Sequence, residues 1–168
     1  MNQLQEKYEK EVKAILSKYP DEQKRSAVMP LLYVAQRDGG YVTKQAMQEV
    51  GEIIGVTATE VASIAGFYTL YHDKPGGKYR MQVCNDLPCA LRGADEYLEN
   101  LCENLGISVG ETSEDGLVSI EAVMCLAACD KAPMFQAQDA QGIAYHENQT
   151  VESTLKLVET WRKKEAKK

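Results

Sequence analysis

Four of the chain's five cysteines fall into two tight pairs. Cys84-Asn-Asp-Leu-Pro-Cys89 is followed, thirty-five residues on, by Cys125-Leu-Ala-Ala-Cys129. A pair four or five positions apart brings two sulfurs to one ion or cluster when a loop reverses the chain between them. Two such pairs supply four thiolates. That is the full ligand set of a [2Fe–2S] cluster or of a four-cysteine structural zinc site. Disulfides are the third possibility. No charged region followed by an apolar run opens the chain, so no signal peptide is expected. In a reduced compartment paired cysteines point to metal binding or catalysis before structural disulfides. Zinc sites use spacers of two to four residues, most often two. The apolar and small residues Leu87, Pro88, Leu126, Ala127, Ala128 and Pro133 favour a cluster, because they leave backbone N–H groups free to point at sulfur. Cys102 stands apart. It shares a helical face with Leu98 and Leu105 and is expected to be a small buried hydrophobe.

The frame around these sulfurs is modest in size. With 168 residues there is room for one domain or for a domain with a helical appendage. A net charge of −6 argues against nonspecific nucleic-acid binding. No apolar run approaches the length of a membrane span.

In the first part, residues 1–75, the periodicity predicts helices. Leu4, Tyr8, Val12, Ile15, Leu16 and Tyr19 recur at helical steps over residues 2–19, and Pro20 ends the run. Asp21 is expected to cap a second helix, about 22–37, kinked at Pro30. Thr43 caps a third that Gly55 stops. Thr57-Ala-Thr-Glu60 has the form of a capping box opening a fourth. Short helices of this kind resemble a DNA-binding motif, but the fourth carries no basic cluster and its face reads Val61, Ile64, Ala65. Phe67–Tyr71 reads as a helix tail or a strand. Lys74-Pro-Gly-Gly-Lys78 is the clearest linker, which puts the domain boundary near residue 76.

Residues 76–168 alternate strand and helix. A strand at 79–83 delivers Cys84, and Cys89 is expected at the opening of a helix over 90–104, where free N–H groups would stabilise a thiolate. Short strands follow at 107–109 and 117–123. A hairpin is expected from 134–138 and 143–146, then a helix from Thr150 carrying Val151, Leu155, Val158 and Trp161, with a frayed basic end at 163–168. His72 and His146 have no second ligand nearby in sequence and are expected to be structural or surface residues. Strand, helix, strands, hairpin and helix make an α/β plan in one small sheet, similar to thioredoxin. Thioredoxins place two residues between their cysteines, whereas here there are four, which argues against dithiol catalysis.

The cysteine pattern with Ala132-Pro133, together with Leu87-Pro-Cys-Ala-Leu-Arg-Gly-Ala94, Tyr19-Pro20, Arg25-Ser-Ala-Val-Met-Pro-Leu-Leu32, Gly40-Tyr41 and Val61-Ala-Ser-Ile-Ala-Gly-Phe-Tyr68, resembles the thioredoxin-like [2Fe–2S] ferredoxin family over nearly the whole chain. The resemblance implies an α+β/α/β architecture: an N-terminal helical bundle (1–75) followed by a thioredoxin-like [2Fe–2S] domain (76–168). The bundle carries no catalytic constellation and is expected to dock the flavoprotein partner. The resemblance also implies that Cys84, Cys89, Cys125 and Cys129 ligate one [2Fe–2S] cluster. The implied role is electron transfer in an NADH:quinone oxidoreductase (respiratory complex I), with an NAD-linked hydrogenase or formate dehydrogenase as the alternative host. FMN and NADH would sit on an adjacent flavoprotein subunit, in agreement with the lack of a Gly-x-Gly-x-x-Gly motif here. The location implied is cytoplasmic, peripheral to the inner membrane. A zinc-stabilised interaction module without redox function is the competing class. Thioredoxin also suggests a cis bond before Pro133, and Arg92 is a candidate positive charge beside the cluster. One position departs from the family: its second pair usually reads Cys-Leu-Gly-Ala-Cys, and Ala127 stands in place of the glycine. If that position has positive φ, alanine carries local strain.

Overall fold

The computed structural model describes residues 2–167. The chain divides into two compact units, Met1–Pro75 and Gly76–Lys168.

The first unit is helical among its described residues: α1 (Gln3–Lys7), α2 (Glu9–Leu16), α3 (Val28–Gly39), α4 (Lys44–Ile54) and α5 (Ala58–Phe67), with a 3₁₀ segment Asp21–Ala27 before α3. The caps fall where the hydroxyls predict. Thr43 accepts from the Ala46 amide at 3.0 Å, Thr57 and Glu60 form the reciprocal capping box, and Gly55 ends α4 at φ +75°. Three expectations fail. Asp21 makes no cap bond; it lies inside the 3₁₀ segment, which follows Pro20. The helix drawn over 2–19 breaks at Tyr8 (φ −120°, ψ 34°). Asn2 Nδ2 donates to the Glu49 carbonyl, and the Leu4 amide donates to the Glu49 carboxylate, so α1 is bound to α4. Arg37 of α3 donates to Glu11 of α2, and these separate attachments override a periodicity that alone would run through. Pro30 also produces no kink. It is the third residue of α3, where the missing N–H has no intrahelical acceptor to lose. The irregularity lies instead at Gln23, in the 3₁₀ segment. Leu31, Leu32, Val50 and Val61 form the fully buried centre. The buried Gln36 amide clamps the stretch after α5, donating to the Leu70 carbonyl and accepting from the His72 amide.

The second unit is a four-stranded mixed sheet in the order β2-β1-β3-β4, from β1 (Tyr79–Cys84), β2 (Val118–Val123), β3 (Phe135–Asp139) and β4 (Gly142–His146). β1 runs parallel to β2 and antiparallel to β3, and β3–β4 is the expected hairpin. Met81, Val83, Ile120 and Phe135 belong to the buried apolar core of the sheet. They pack with Leu101 of α7 (Ala94–Leu105) and with Val158 and Trp161 of α8 (Val151–Glu165). Tyr79 stacks on Trp161 at 4.3 Å. The alternate positions Arg80, Gln82, Ser119, Gln136 and Gln138 are buried polar residues. They are joined through bonds such as Gln82 to Glu121 (2.8 Å) and Gln136 to Gln82.

Three further expectations are corrected. Residues 107–109 are not a strand. Gly110 turns at φ +90°, and the pairing beside β2 starts only there, with the Gly110 amide on the Ile120 carbonyl. The helix expected over 90–104 is two pieces, α6 (Leu87–Ala90) and α7, because Gly93 adopts φ +87° between them. The basic end is helical to Glu165, whose carboxylate pairs with Lys78 at 3.0 Å; Lys168 lies outside the described residues.

Candidate metal centre

The sheet carries all four paired cysteines to one end. Cys84 is the last residue of β1, its amide bonded to the Met134 carbonyl at 3.3 Å. Cys89 lies in α6, which Asp86 caps through the Leu87 amide. Cys125 follows β2, and Cys129 opens the 3₁₀ turn Cys129–Lys131. Cys84 and Cys89 are buried, Cys129 is half-buried and Cys125 is exposed. Cys89 is near enough to Cys84 and Cys129, and Cys129 to Cys125, for each thiol to be affected by the others, so the two pairs meet. Among the described residues no three His, Cys, Asp or Glu side chains are disposed around a single ion.

Ala94, Ala132 and Met134 pack with Cys84 and Cys89, and Leu126 and Ala128 close over them. Burial in this lining pushes the Cys89 thiol up to about 12, with the neighbouring Cys84 adding to the effect. Burial also raises Cys129, assisted by Cys125. The expected stabilisation of a Cys89 thiolate by a helix N-terminus is absent. α6 is one turn long, and the Cys89 amide already donates to the Asp86 carbonyl at 2.8 Å. Raised thiols are the reverse of what a thiol–disulfide catalyst needs. As metal ligands they would give up their protons on binding.

The loop between Cys125 and Cys129 has unusual backbone. Ala127 adopts φ +57°, left-handed, so the condition under which alanine in place of the family's glycine carries strain is met. Its amide donates to Cys125 Sγ at 3.3 Å. Arg92 Nε donates to the Ala132 carbonyl at 3.3 Å, so its exposed side chain is held beside the site. The Ala132–Pro133 bond is cis. Cys102 packs against the sheet core, half-buried, away from the four. His146 stacks on Phe135 at 4.7 Å and burial lowers its pKa; it has a structural place. Sequence reasoning did not single out Tyr145, whose hydroxyl donates to the Leu126 carbonyl at 2.9 Å. Only the β3–β4 register, which sets Tyr145 opposite Gln136, puts it there.

Four thiols at one end of a thioredoxin-like sheet, Cys84 and Cys89 buried among apolar residues and Cys125 open to solvent, are the donor set of an iron–sulfur protein: two sulfurs for each iron of a two-iron cluster. The thioredoxin-like [2Fe–2S] ferredoxin family model matches residues 12–162, and the chain belongs to that family. Its cofactor is accordingly one [2Fe–2S] cluster, and the residues present fit it. Subunit 2 of the NADH-quinone oxidoreductase of Thermus thermophilus is 44% identical over 123 residues, 73% of this chain and 68% of that protein. The E 2 subunit of the Rhizobium meliloti NADH-quinone oxidoreductase is 38% identical over 152 residues, 90% and 87% of the two chains. The E subunit of the Mycobacterium tuberculosis enzyme is 37% identical over 154 residues, and there this chain spans 59% of the relative's length. Among solved structures, an NAD+-reducing [NiFe]-hydrogenase shares the fold at a TM-score of 0.66 and 18% identity, over 80% of this chain and 23% of that one.

Proposed function

We propose that this chain is the electron-transfer subunit of an NADH–quinone oxidoreductase (respiratory complex I), with Cys84, Cys89, Cys125 and Cys129 as the four cluster ligands. The meeting of the two cysteine pairs at one end of the sheet, with Cys84 and Cys89 buried in an apolar lining, carries the reading. The cluster, when bound, takes up and returns one electron with no bond made or broken on a substrate. The chain sets the conditions for that exchange. Leu126, Ala128, Ala132 and Met134 keep water from Cys84 and Cys89, the Ala127 amide donates to a ligand sulfur, and Arg92 is held to the Ala132 carbonyl on the same side of the molecule.

The electron donor is an FMN- and NADH-binding flavoprotein subunit of the same complex. Leu87, Leu91 and Met124, all more than two-thirds exposed beside the ligand cysteines, are apolar surface for that contact. The first unit is a helical docking bundle for the same partner. Its exposed Tyr33, Phe67 and Tyr68 form an aromatic ladder through Tyr71. The site of action is the cytoplasmic face of the inner membrane, peripherally. Among the described residues no single helix is long and apolar enough to cross a membrane.

The test is the visible spectrum of anaerobically purified protein, followed by EPR after dithionite reduction. A brown protein with a rhombic S = 1/2 signal supports the assignment. A colourless protein holding one zinc, and refusing iron and sulfide, overturns it. Co-purification with a flavoprotein that Tyr33→Asp with Phe67→Asp abolishes, at unchanged helicity, supports the docking role; retention removes it.

A further inference from the structure

The Leu126–Ala127 peptide lies between two groups that hold opposite ends of it. Its carbonyl accepts the Tyr145 hydroxyl at 2.9 Å. Its N–H, on the other side of the same planar unit, donates to Cys125 Sγ at 3.3 Å. A peptide plane cannot turn one end without the other. The plane is held in a conformation that its own residue resists, since Ala127 sits at φ +57°. The hydroxyl comes from a fixed point: Tyr145 is on β4 opposite Gln136, which is opposite Gln82, so Tyr145 shares the sheet face of Gln82 and Cys84. β4 is an edge strand, and Tyr145 stands on it half exposed.

We infer that Tyr145 is a positioning residue for electron transfer: its hydroxyl pins the Leu126–Ala127 peptide so that the Ala127 N–H stays aimed at the Cys125 sulfur. The inference rests on Cys125 being a cluster ligand. An N–H bond to a ligand sulfur stabilises the more negative, reduced form over the oxidised one, so it raises the reduction potential. Without the hydroxyl the peptide relaxes toward an ordinary backbone conformation and the N–H leaves the sulfur. The reduced form is then disfavoured.

The experiment is an EPR-monitored redox titration of the intact chain with its cluster, comparing wild type, Tyr145→Phe and a protein carrying 3-fluorotyrosine at that position alone. Tyr145→Phe is expected to keep the cluster's rhombic signal while shifting the one-electron equilibrium against reduction roughly threefold to tenfold, a fall of about 30–60 mV. The fluorinated ring, a stronger donor of the same shape, is expected to move the potential the other way. In deuterated buffer the Phe variant should also lose the coupling of an exchangeable deuteron near the cluster. Identical potentials for wild type and the fluorinated protein overturn the inference, even should the Phe variant fail to hold its cluster. Wild-type protein without any [2Fe–2S] signal would instead remove the ligand assignment, which keeps the two failures apart.

Discussion

Ala127→Gly should make this protein more stable. At φ +57° the alanine methyl is crowded against its own backbone carbonyl. The left-handed conformation disfavours an ordinary L-residue by about 1–2 kcal/mol relative to glycine. Glycine brings an opposing term, because it loses more freedom on folding, by about 0.4–1 kcal/mol. Ala127 is exposed, so removing its methyl gives up little packing. The net expectation is a gain of about 0.5–1 kcal/mol. For a cooperative unit the size of Gly76–Lys168, that is a rise of about 2–8 °C in melting temperature. The assay is calorimetry of the cluster-loaded protein alongside the loss of its visible absorption on heating. Ala128→Gly is the internal control. Ala128 has φ −131°, where alanine has no such strain, and its methyl packs against the cysteine pocket. That change should lower the same transition. If Ala127→Gly is neutral, or destabilises as Ala128→Gly does, the strain reasoning is wrong.

Three other outcomes follow from the same geometry. Serine at any one of Cys84, Cys89, Cys125 or Cys129 should abolish or strongly deplete the cluster, whereas Cys102→Ser should leave iron content and the EPR signal unchanged; iron and sulfide analysis decides this. Gly51→Ala should destabilise the first unit by about 1–2 kcal/mol in urea unfolding, despite alanine's better helix propensity. The added Cβ would stand 2.6 Å from the Val56 carbonyl oxygen, a backbone atom that cannot move aside cheaply. The Asp38 carboxyl is held below its ordinary range, first by the Lys7 bond and then by the Tyr8 hydroxyl. Its unfolded form therefore binds protons more readily, so its contribution is present above the usual carboxylate pKa and is lost as pH falls through the folded value. Circular dichroism melts between neutral pH and pH about 3 should show wild type losing more stability than Asp38→Asn, and parallel losses would count against the pairing.

Local signals carried far in this chain wherever the cause was local. A hydroxyl placed before an apolar periodic run caps a helix whatever surrounds it, which is why Thr43, Thr57 and Thr150 open helices where expected. The strand ending at Cys84 and the hairpin of β3 and β4 were equally legible, as were the two cysteine pairs; the family's glycine raised the question of positive φ at Ala127, and the structure answers it. The failures had two causes, one long-range and one local. The break at Tyr8 arises because Glu49 and Arg37, distant in sequence, take hold of the segments on either side. Gly93 divides the expected helix after Cys89, and that removes the free helix terminus expected for its sulfur.

Residue type and spacing by themselves determined the chemistry available, because four thiolates in two pairs can hold only a few kinds of centre and the family wording around them selects one. Tertiary structure decided how that chemistry is tuned. The parallel pairing of β1 with β2 brings Cys84 and Cys125 to one end of the sheet from opposite sides of a helical crossover. The hairpin register then lays the Tyr145 hydroxyl against the same peptide whose N–H meets a ligand sulfur. Those relations depend on which strands pair and in what register, and pairing is set by the burial of whole faces, a property no short stretch of sequence contains.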